Sequence, residues 1–178
     1  MPKVLLGVRS QIMEAVRRQL VDGGYDALTL RSVAAECSIS IGTIYNYFES
    51  KEALVSTFMT EEWVTALADV SLACIEAVSP RDAFQHLFDT LAEYYRKYGC
   101  VIQGFPAACY VLFSMRKTHE KMREQMIRLI KPVVERFSRI NQPFLCEFLT
   151  DAVIVESQRG YPFSEFYSII SVYFTEPE

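Results

Sequence analysis

The sequence predicts an all-α chain of about nine helices, and three observations carry that reading. Apolar residues recur at helical spacing along nearly the whole of the 178 residues. Capping residues stand where the periodic segments begin, and glycine or proline stands where several end. No segment alternates apolar and polar side chains as a half-buried strand does.

In the first segment Ile12, Val16 and Leu20 lie at i, i+4 and i+8, with Arg17 and Arg18 on another face, and Gly23-Gly24 stops it. A short second helix follows Thr29 as N-cap, with Leu30, Val33, Ala34 and Cys37 at i, i+3, i+4 and i+7. Ser40 caps a third, carrying Ile41, Ile44 and Tyr45. Ser50 caps a long fourth, whose stripe of Val55, Met59, Ala66, Val70 and Ala73 continues to about Ala77. Ser79-Pro80-Arg81-Asp82 is the cleanest start in the chain: a capping serine, a proline at the first helical position, and a carboxylate in the electropositive first turn. Phe84, Leu87, Phe88, Leu91, Tyr94, Tyr95 and Tyr98 follow, and Gly99 is expected to end this fifth helix.

Gly104-Phe105-Pro106 opens a sixth helix, apolar through Phe113. Thr118 is expected to cap a seventh, with Met122, Met126, Leu129, Ile130, Val133 and Phe137 on one stripe and Pro132 removing one hydrogen bond or kinking it. Pro143 begins an eighth that runs to Gly160, and a ninth runs from about Pro162 to Phe174. Neither an internal repeat nor a disordered linker interrupts this pattern.

Composition narrows the function classes. The most apolar windows are broken by charge, as Asp82 and Asp89 bracket the Phe84–Phe88 run, so no transmembrane helix is expected. The apolar run at the N-terminus is too short for a secretory signal, and the expected location is cytoplasmic. Five scattered cysteines without C-x-x-C spacing read as reduced thiols. The net charge is −4, yet residues 1–60 carry six basic and six acidic side chains, and the whole deficit lies in residues 61–178. Charge alone therefore neither requires nor forbids a nucleic-acid partner. No G-x-S-x-G, phosphate loop, cysteine–histidine pairing or metal cluster is present, so neither an enzyme nor a cofactor is expected. His86, between Asp82 and Asp89, reads as a surface histidine.

The informative stretch is Thr29 to Lys51. Two helices of one to two turns joined by three residues bury little surface unless they pack tightly against each other. Close crossing needs a small residue on the first, and Ala34 is there; Val33, Cys37, Ile39 and Ile44 supply the inner faces. This spacing resembles a helix-turn-helix, whose second helix lies in the major groove. The run Ser40-Ile41-Gly42-Thr43-Ile44-Tyr45-Asn46-Tyr47-Phe48-Glu49-Ser50-Lys51-Glu52-Ala53-Leu54 is more specific still. With Gly24-Tyr25-Asp26-Ala27-Leu28-Thr29-Leu30 upstream, it resembles the signature of the tetracycline-repressor (TetR) family over residues 8 to about 58. Ser38 departs from it: the family usually has glycine at this turn position. A site needing φ > 0 costs a non-glycine residue roughly 1 kcal/mol. No long basic arm precedes the first helix, which disfavours minor-groove contacts.

The resemblance implies residues 1–53 as a helix-turn-helix DNA-binding domain and residues 54–178 as a helical ligand-binding and dimerisation domain. Roles within the motif follow from reach. Ser40 and Thr43 start the recognition helix, where N–H groups and hydroxyls hold phosphate. Tyr45 and Tyr47 end in phenols that meet phosphate or stack on sugar, and Lys51 adds a cation at the next helix start. Ile41 offers apolar contact to a thymine methyl and Gly42 a close backbone approach. By the resemblance, Arg31 reaches a guanine edge from the second helix. Thr29 and Asn46 complete the candidate surface, while Ala34, Ile44 and Phe48 read as core.

The implied partners are double-stranded operator DNA, a second copy of the chain and a small apolar effector. Phe84, Phe88, Tyr95, Tyr110, Phe113 and Met122 are the candidate effector lining, with ordinary core packing as the other reading. The last two helices are apolar on more than one face, which makes Phe144, Phe148, Ala152, Phe166, Ile170 and Tyr173 candidates for a dimer interface. The function so implied is a repressor released from a pseudo-palindromic operator by its effector. The alternative is an effector-free or architectural DNA binder acting through protein contacts.

Overall fold

The computed structural model describes residues 7–104, 113–142 and 144–175, with side chains at 69, 100, 102–104 and 113–119 set aside. Among these residues it is all-α: α1 (Val8–Ala27), α2 (Leu30–Glu36), α3 (Ile41–Tyr45), α4 (Lys51–Glu76), α5 (Pro80–Gly104), α6 (Phe113–Phe137), α7 (Leu145–Arg159) and α8 (Phe163–Ile170), closed by a 3-10 turn over Ser171–Tyr173. The expected sixth helix falls largely on residues 105–112, outside the described residues.

Most starts follow from local chemistry. Thr29 is extended and its hydroxyl accepts the Ser32 N–H at 3.0 Å, while Ser32 answers as acceptor for the Thr29 N–H. The hydroxyls of Ser50 and Ser79 accept the N–H groups of Ala53 and Asp82, each at 3.1 Å. Gly24, at φ 70° and ψ −173°, breaks the helical path inside α1. Pro132 sits within α6, and Gly160 ends α7 in the left-handed conformation.

Two expected boundaries are corrected. Gly99 does not end α5, which runs on to Gly104. A glycine inside a helix costs about 1 kcal/mol but does not stop it, and Val101, buried one turn away from Tyr98, continues the apolar stripe. Thr118 does not cap α6, which begins five residues earlier at Phe113. Serine, methionine, arginine and lysine precede it, and none of these opposes a helix.

The chain divides into two compact units, Met1–Glu62 with Tyr98–Met115, and Trp63–Lys97 with Arg116–Glu178. The expected division after residue 53 falls within α4, which both units share. In the first unit Ile12, Val16, Leu20, Leu28, Val33, Ile44, Leu54 and Val55 are fully enclosed. The Glu62 carboxylate accepts from both Arg17 and Tyr98, and the Phe58 ring packs edge-on to Tyr98 at 5.8 Å. In the second unit an aromatic core forms: Phe84 meets Phe174 at 5.4 Å, Phe88 meets Phe166 at 5.2 Å, and Trp63 meets Tyr94 at 5.2 Å. The Trp63 indole donates to Gln125 at 3.1 Å. Among the described residues no helix is long and apolar enough to cross a membrane, and no cluster suits a metal ion.

Candidate nucleic-acid interface

The turn between α2 and α3 is set by its backbone bonds. Ser38 donates to the carbonyl of Ala35 at 3.1 Å and Ile39 to that of Ala34 at 3.0 Å, the paired closure that ends a helix on a left-handed residue. That residue is Ser38, at φ 54°, the only non-glycine with positive φ among the described residues. The expectation of a left-handed turn at Ser38 is met, and with it the strain. Beyond the turn, Ser40 is extended and its hydroxyl accepts the Thr43 N–H at 3.1 Å. It also shares a hydrogen bond of 2.9 Å with the Thr43 hydroxyl.

With α3 only five residues long, one inward anchor fixes its register. Ile44 is fully buried and Phe48, just beyond the helix, is nearly so. Ile41, Gly42, Tyr45, Asn46 and Tyr47 are consequently exposed, with Tyr45 at 56% and Tyr47 at 44%. A side chain built onto Gly42 would meet only the Ser40 hydroxyl at 3.7 Å, an ordinary contact, so the fold itself does not require glycine there. Thr29 and Arg31 are also exposed, although the Thr29 hydroxyl is already engaged in capping α2.

Charge on this unit is distributed unevenly. Arg9 pairs with Glu61, Arg17 with Glu14 and Glu62, and Arg18 with Glu14 and Glu36. Gln19 adds a bond of 2.6 Å to the Glu36 carboxylate, and it and Arg18 hold the Glu36 carboxyl below its ordinary range. Among the described residues of this unit, Arg31 and Lys51 are the cations without a carboxylate ion pair. Lys51 opens α4 with its ammonium 4.0 Å from the centre of the Tyr25 ring, and the Tyr25 hydroxyl donates to Glu52 at 3.0 Å. The Glu52 carboxyl lies below its ordinary range, held first by its own backbone N–H and further by the Ser50 and Tyr25 hydroxyls and the Lys51 charge. Sequence reasoning missed Tyr25 as anything but part of the glycine–tyrosine entry to α2. Tyr25 and Glu52 lie 27 positions apart, so nothing local marks the grip of this ring on the start of α4.

The second unit holds the other candidates. Phe84 and Phe88 are buried in the aromatic core described above, Tyr95 is half-buried edge-on to Tyr94, and Met122 is half-buried. Tyr110 and the Phe113 side chain lie outside the described residues. Thr150 on α7 is fully buried, and its hydroxyl lacks a partner among the described residues. Phe166 and Ile170, expected at a dimer interface, instead face the core of their own unit at 5% and 1% exposure. The exposed apolar residues of α7 and the C-terminal segment are Phe144, Phe148, Val155, Ile169 and Val172, with Ala152 and Tyr173 half-buried. Of the cysteines whose side chains are described, Cys37, Cys74 and Cys146 are free thiols, and burial pushes Cys74 up to about 11.

Residues 12–57 match the family described as "Bacterial regulatory proteins, tetR family". Over 60 residues the chain is 33% identical to the HTH-type transcriptional regulator UidR of Escherichia coli K12, an alignment covering 34% of this chain and 31% of UidR. The chain thus spans about a third of the length of that curated relative. The fold extends further. The transcriptional regulator SCO7518 of Streptomyces coelicolor superposes with a TM-score of 0.71 at 13% identity, over 95% of this chain and 99% of that one. The regulator FadR of Bacillus subtilis, solved in complex with stearoyl-CoA, gives 0.65 at 12% identity over 95% and 99%.

Proposed function

We propose that this chain, a member of the TetR family of bacterial regulatory proteins, is a cytoplasmic transcriptional regulator, a repressor binding a pseudo-palindromic operator as a homodimer. One observation carries the DNA-contacting part. Every other described cation of the first unit is paired with a carboxylate, whereas Arg31 in the first turn of α2 and Lys51 at the start of α4 have no such ion pair. That leaves two positive charges where phosphate and base edges would lie, with Tyr45, Tyr47 and Ser40 between them to donate hydrogen bonds. In this reading Lys51 meets phosphate and Arg31 meets a guanine edge. Half-sites then lie about one helical turn apart, roughly 34–36 Å, or a small multiple of it.

The dimer contact falls on the apolar face of Phe144, Phe148, Ala152 and Val155, extended by Ile169 and Val172. An effector of apolar character is supported by the likeness to FadR, solved in complex with stearoyl-CoA. By linkage, an effector that releases DNA must itself bind less tightly to the DNA complex, by the same factor. A second reading is DNA binding without an effector, in which Phe84 and Phe88, packed against Phe174 and Phe166, serve as core.

The test is a set of binding isotherms at several salt concentrations on operator and scrambled duplexes. Lys51→Ala should weaken both alike and lower the salt slope by about one for each phosphate left without its cation. Arg31→Ala should lose about 1–3 kcal/mol on the operator, relax preference at one base pair per half-site, and affect scrambled DNA less. Unchanged operator affinity in both variants would refute the assigned surface.

A further inference from the structure

Lysine is a poor fixed point for a phosphate contact, because its four-carbon stem samples many rotamers that must be frozen on binding. Lys51 is not left in that condition. Gly24 turns the chain out of the helical path of α1, and Tyr25 follows with its ring buried to 5% exposure. The ring lies under the half-buried Lys51, its centre 4.0 Å from the ammonium nitrogen. The Tyr25 hydroxyl meanwhile donates to the next side chain of α4, Glu52, at 3.0 Å. One aromatic residue from the end of α1 thus grips two consecutive side chains in the first turn of α4, immediately after the recognition helix and its Tyr47-Phe48 exit.

We infer that Tyr25 is a positioning residue for DNA binding: its ring holds the Lys51 ammonium at the end of the recognition helix before DNA arrives, and its bond to Glu52 keeps the ring in register. The inference rests on the proposed phosphate contact of Lys51. The quadrupole of the ring favours the cation over its face, and an anion would meet the ammonium from the side away from the ring. Binding then orders less side-chain freedom than a solvated lysine would require.

A phosphate contact is sequence-independent, so a mixed-sequence DNA duplex at low salt is a sufficient probe. In the full chain, Tyr25→Leu should weaken binding roughly two- to fivefold, the range set by one cation–π contact, and Tyr25→Phe should recover most of that loss. In a Lys51→Ala background Tyr25→Leu should cause no further loss, since a positioning residue has nothing left to position. If Lys51→Ala itself leaves the duplex affinity unchanged, the phosphate contact is wrong and the inference falls with it. If Lys51→Ala weakens binding but Tyr25→Leu causes the same loss in both backgrounds, Tyr25 acts on the fold alone and the inference is overturned while the phosphate contact stands. Should Tyr25→Leu fail to fold by circular dichroism, the decision passes to proton NMR of the wild type and Tyr25→Phe. The Lys51 ε-methylene protons should be shifted upfield by the ring in both, and ordinary shifts would refute the grip.

Discussion

Ser38 carries a strain that a single substitution removes. It occupies the left-handed residue of the α2 closure at φ 54°, where Cβ crowds the following carbonyl and costs a non-glycine residue about 1–2 kcal/mol. Glycine escapes that cost, but it frees the unfolded chain by about 0.4–1 kcal/mol, so the net gain of Ser38→Gly is about 0.5–1 kcal/mol. The side chain is exposed and its hydroxyl holds no partner among the described residues, so removing it leaves no orphan. In a chain of this size the gain corresponds to a rise of roughly 1–4 °C in melting temperature. Asparagine tolerates the left-handed region, so Ser38→Asn should be near neutral, whereas β-branched Ser38→Val should lower the midpoint. Calorimetric melts of the four proteins decide it. A fall for Ser38→Gly, or no fall for Ser38→Val, refutes the strain argument.

Other outcomes follow from exposure and contact. Phe148→Asp, on the exposed face of α7, should yield folded monomers by light scattering, and a monomeric wild type at micromolar concentration would defeat the dimer proposal. Ile170→Asp should instead unfold the chain, because that side chain is buried within its own unit and an unpaired carboxylate there costs several kcal/mol; a cooperative melt like that of the wild type would contradict this. Gly42→Ala should stabilise the protein by about 0.5–1 kcal/mol, since the added methyl meets only an ordinary contact in a helix that glycine weakens. It should nonetheless weaken operator binding in the same isotherms; binding that holds or improves would remove the close backbone approach assigned to Gly42.

Legibility in the sequence tracked the range of the interaction. Caps at Thr29, Ser40, Ser50 and Ser79 are bonds to an N–H three residues on, so the sequence contains both partners side by side. The outward face of α3 was legible for the same reason: once Ile44 and Phe48 turn inward, Ile41, Tyr45 and Tyr47 have nowhere else to point. Gly99 and Thr118 misled because a single breaker or capper was weighed against helices whose ends are decided by what packs beyond them. The C-terminal helix was ambiguous by its own composition. Phe166, Ile169, Ile170 and Val172 leave the period without a unique inner face, and only packing against Phe88 settled that Phe166 turns inward. The ion pairs were beyond reach altogether. Arg9 and Glu61 lie 52 positions apart and Arg17 and Glu62 45 apart, and nothing local pairs them.

Those long-range pairs reconcile an acidic chain with a DNA partner and have a measurable consequence. A net charge of −4 counts Arg9, Arg17 and Arg18 as available cations, yet each is already engaged by a carboxylate of its own unit. Counterion release depends on the phosphates actually neutralised, not on formal charge. With Arg31 and Lys51 as the working cations among the described residues of the first unit, these two neutralise about four phosphates in a dimer, so their share of the slope of log affinity against log salt is about −3.6. Arg31 committed to a base edge would make it shallower still. That value lies far below the roughly −10 of a repressor with many phosphate contacts, and it corresponds to only about a hundredfold loss between 50 mM and 200 mM salt. Such a protein has little non-specific grip, so its selectivity must come from base edges, tyrosine hydroxyls and the fit of the recognition helices. A measured slope near −10 would mean that Arg9, Arg17 and Arg18 leave their carboxylates on binding DNA. A slope near that value would mean that the pairs persist and that Arg31 and Lys51 carry most of the electrostatics.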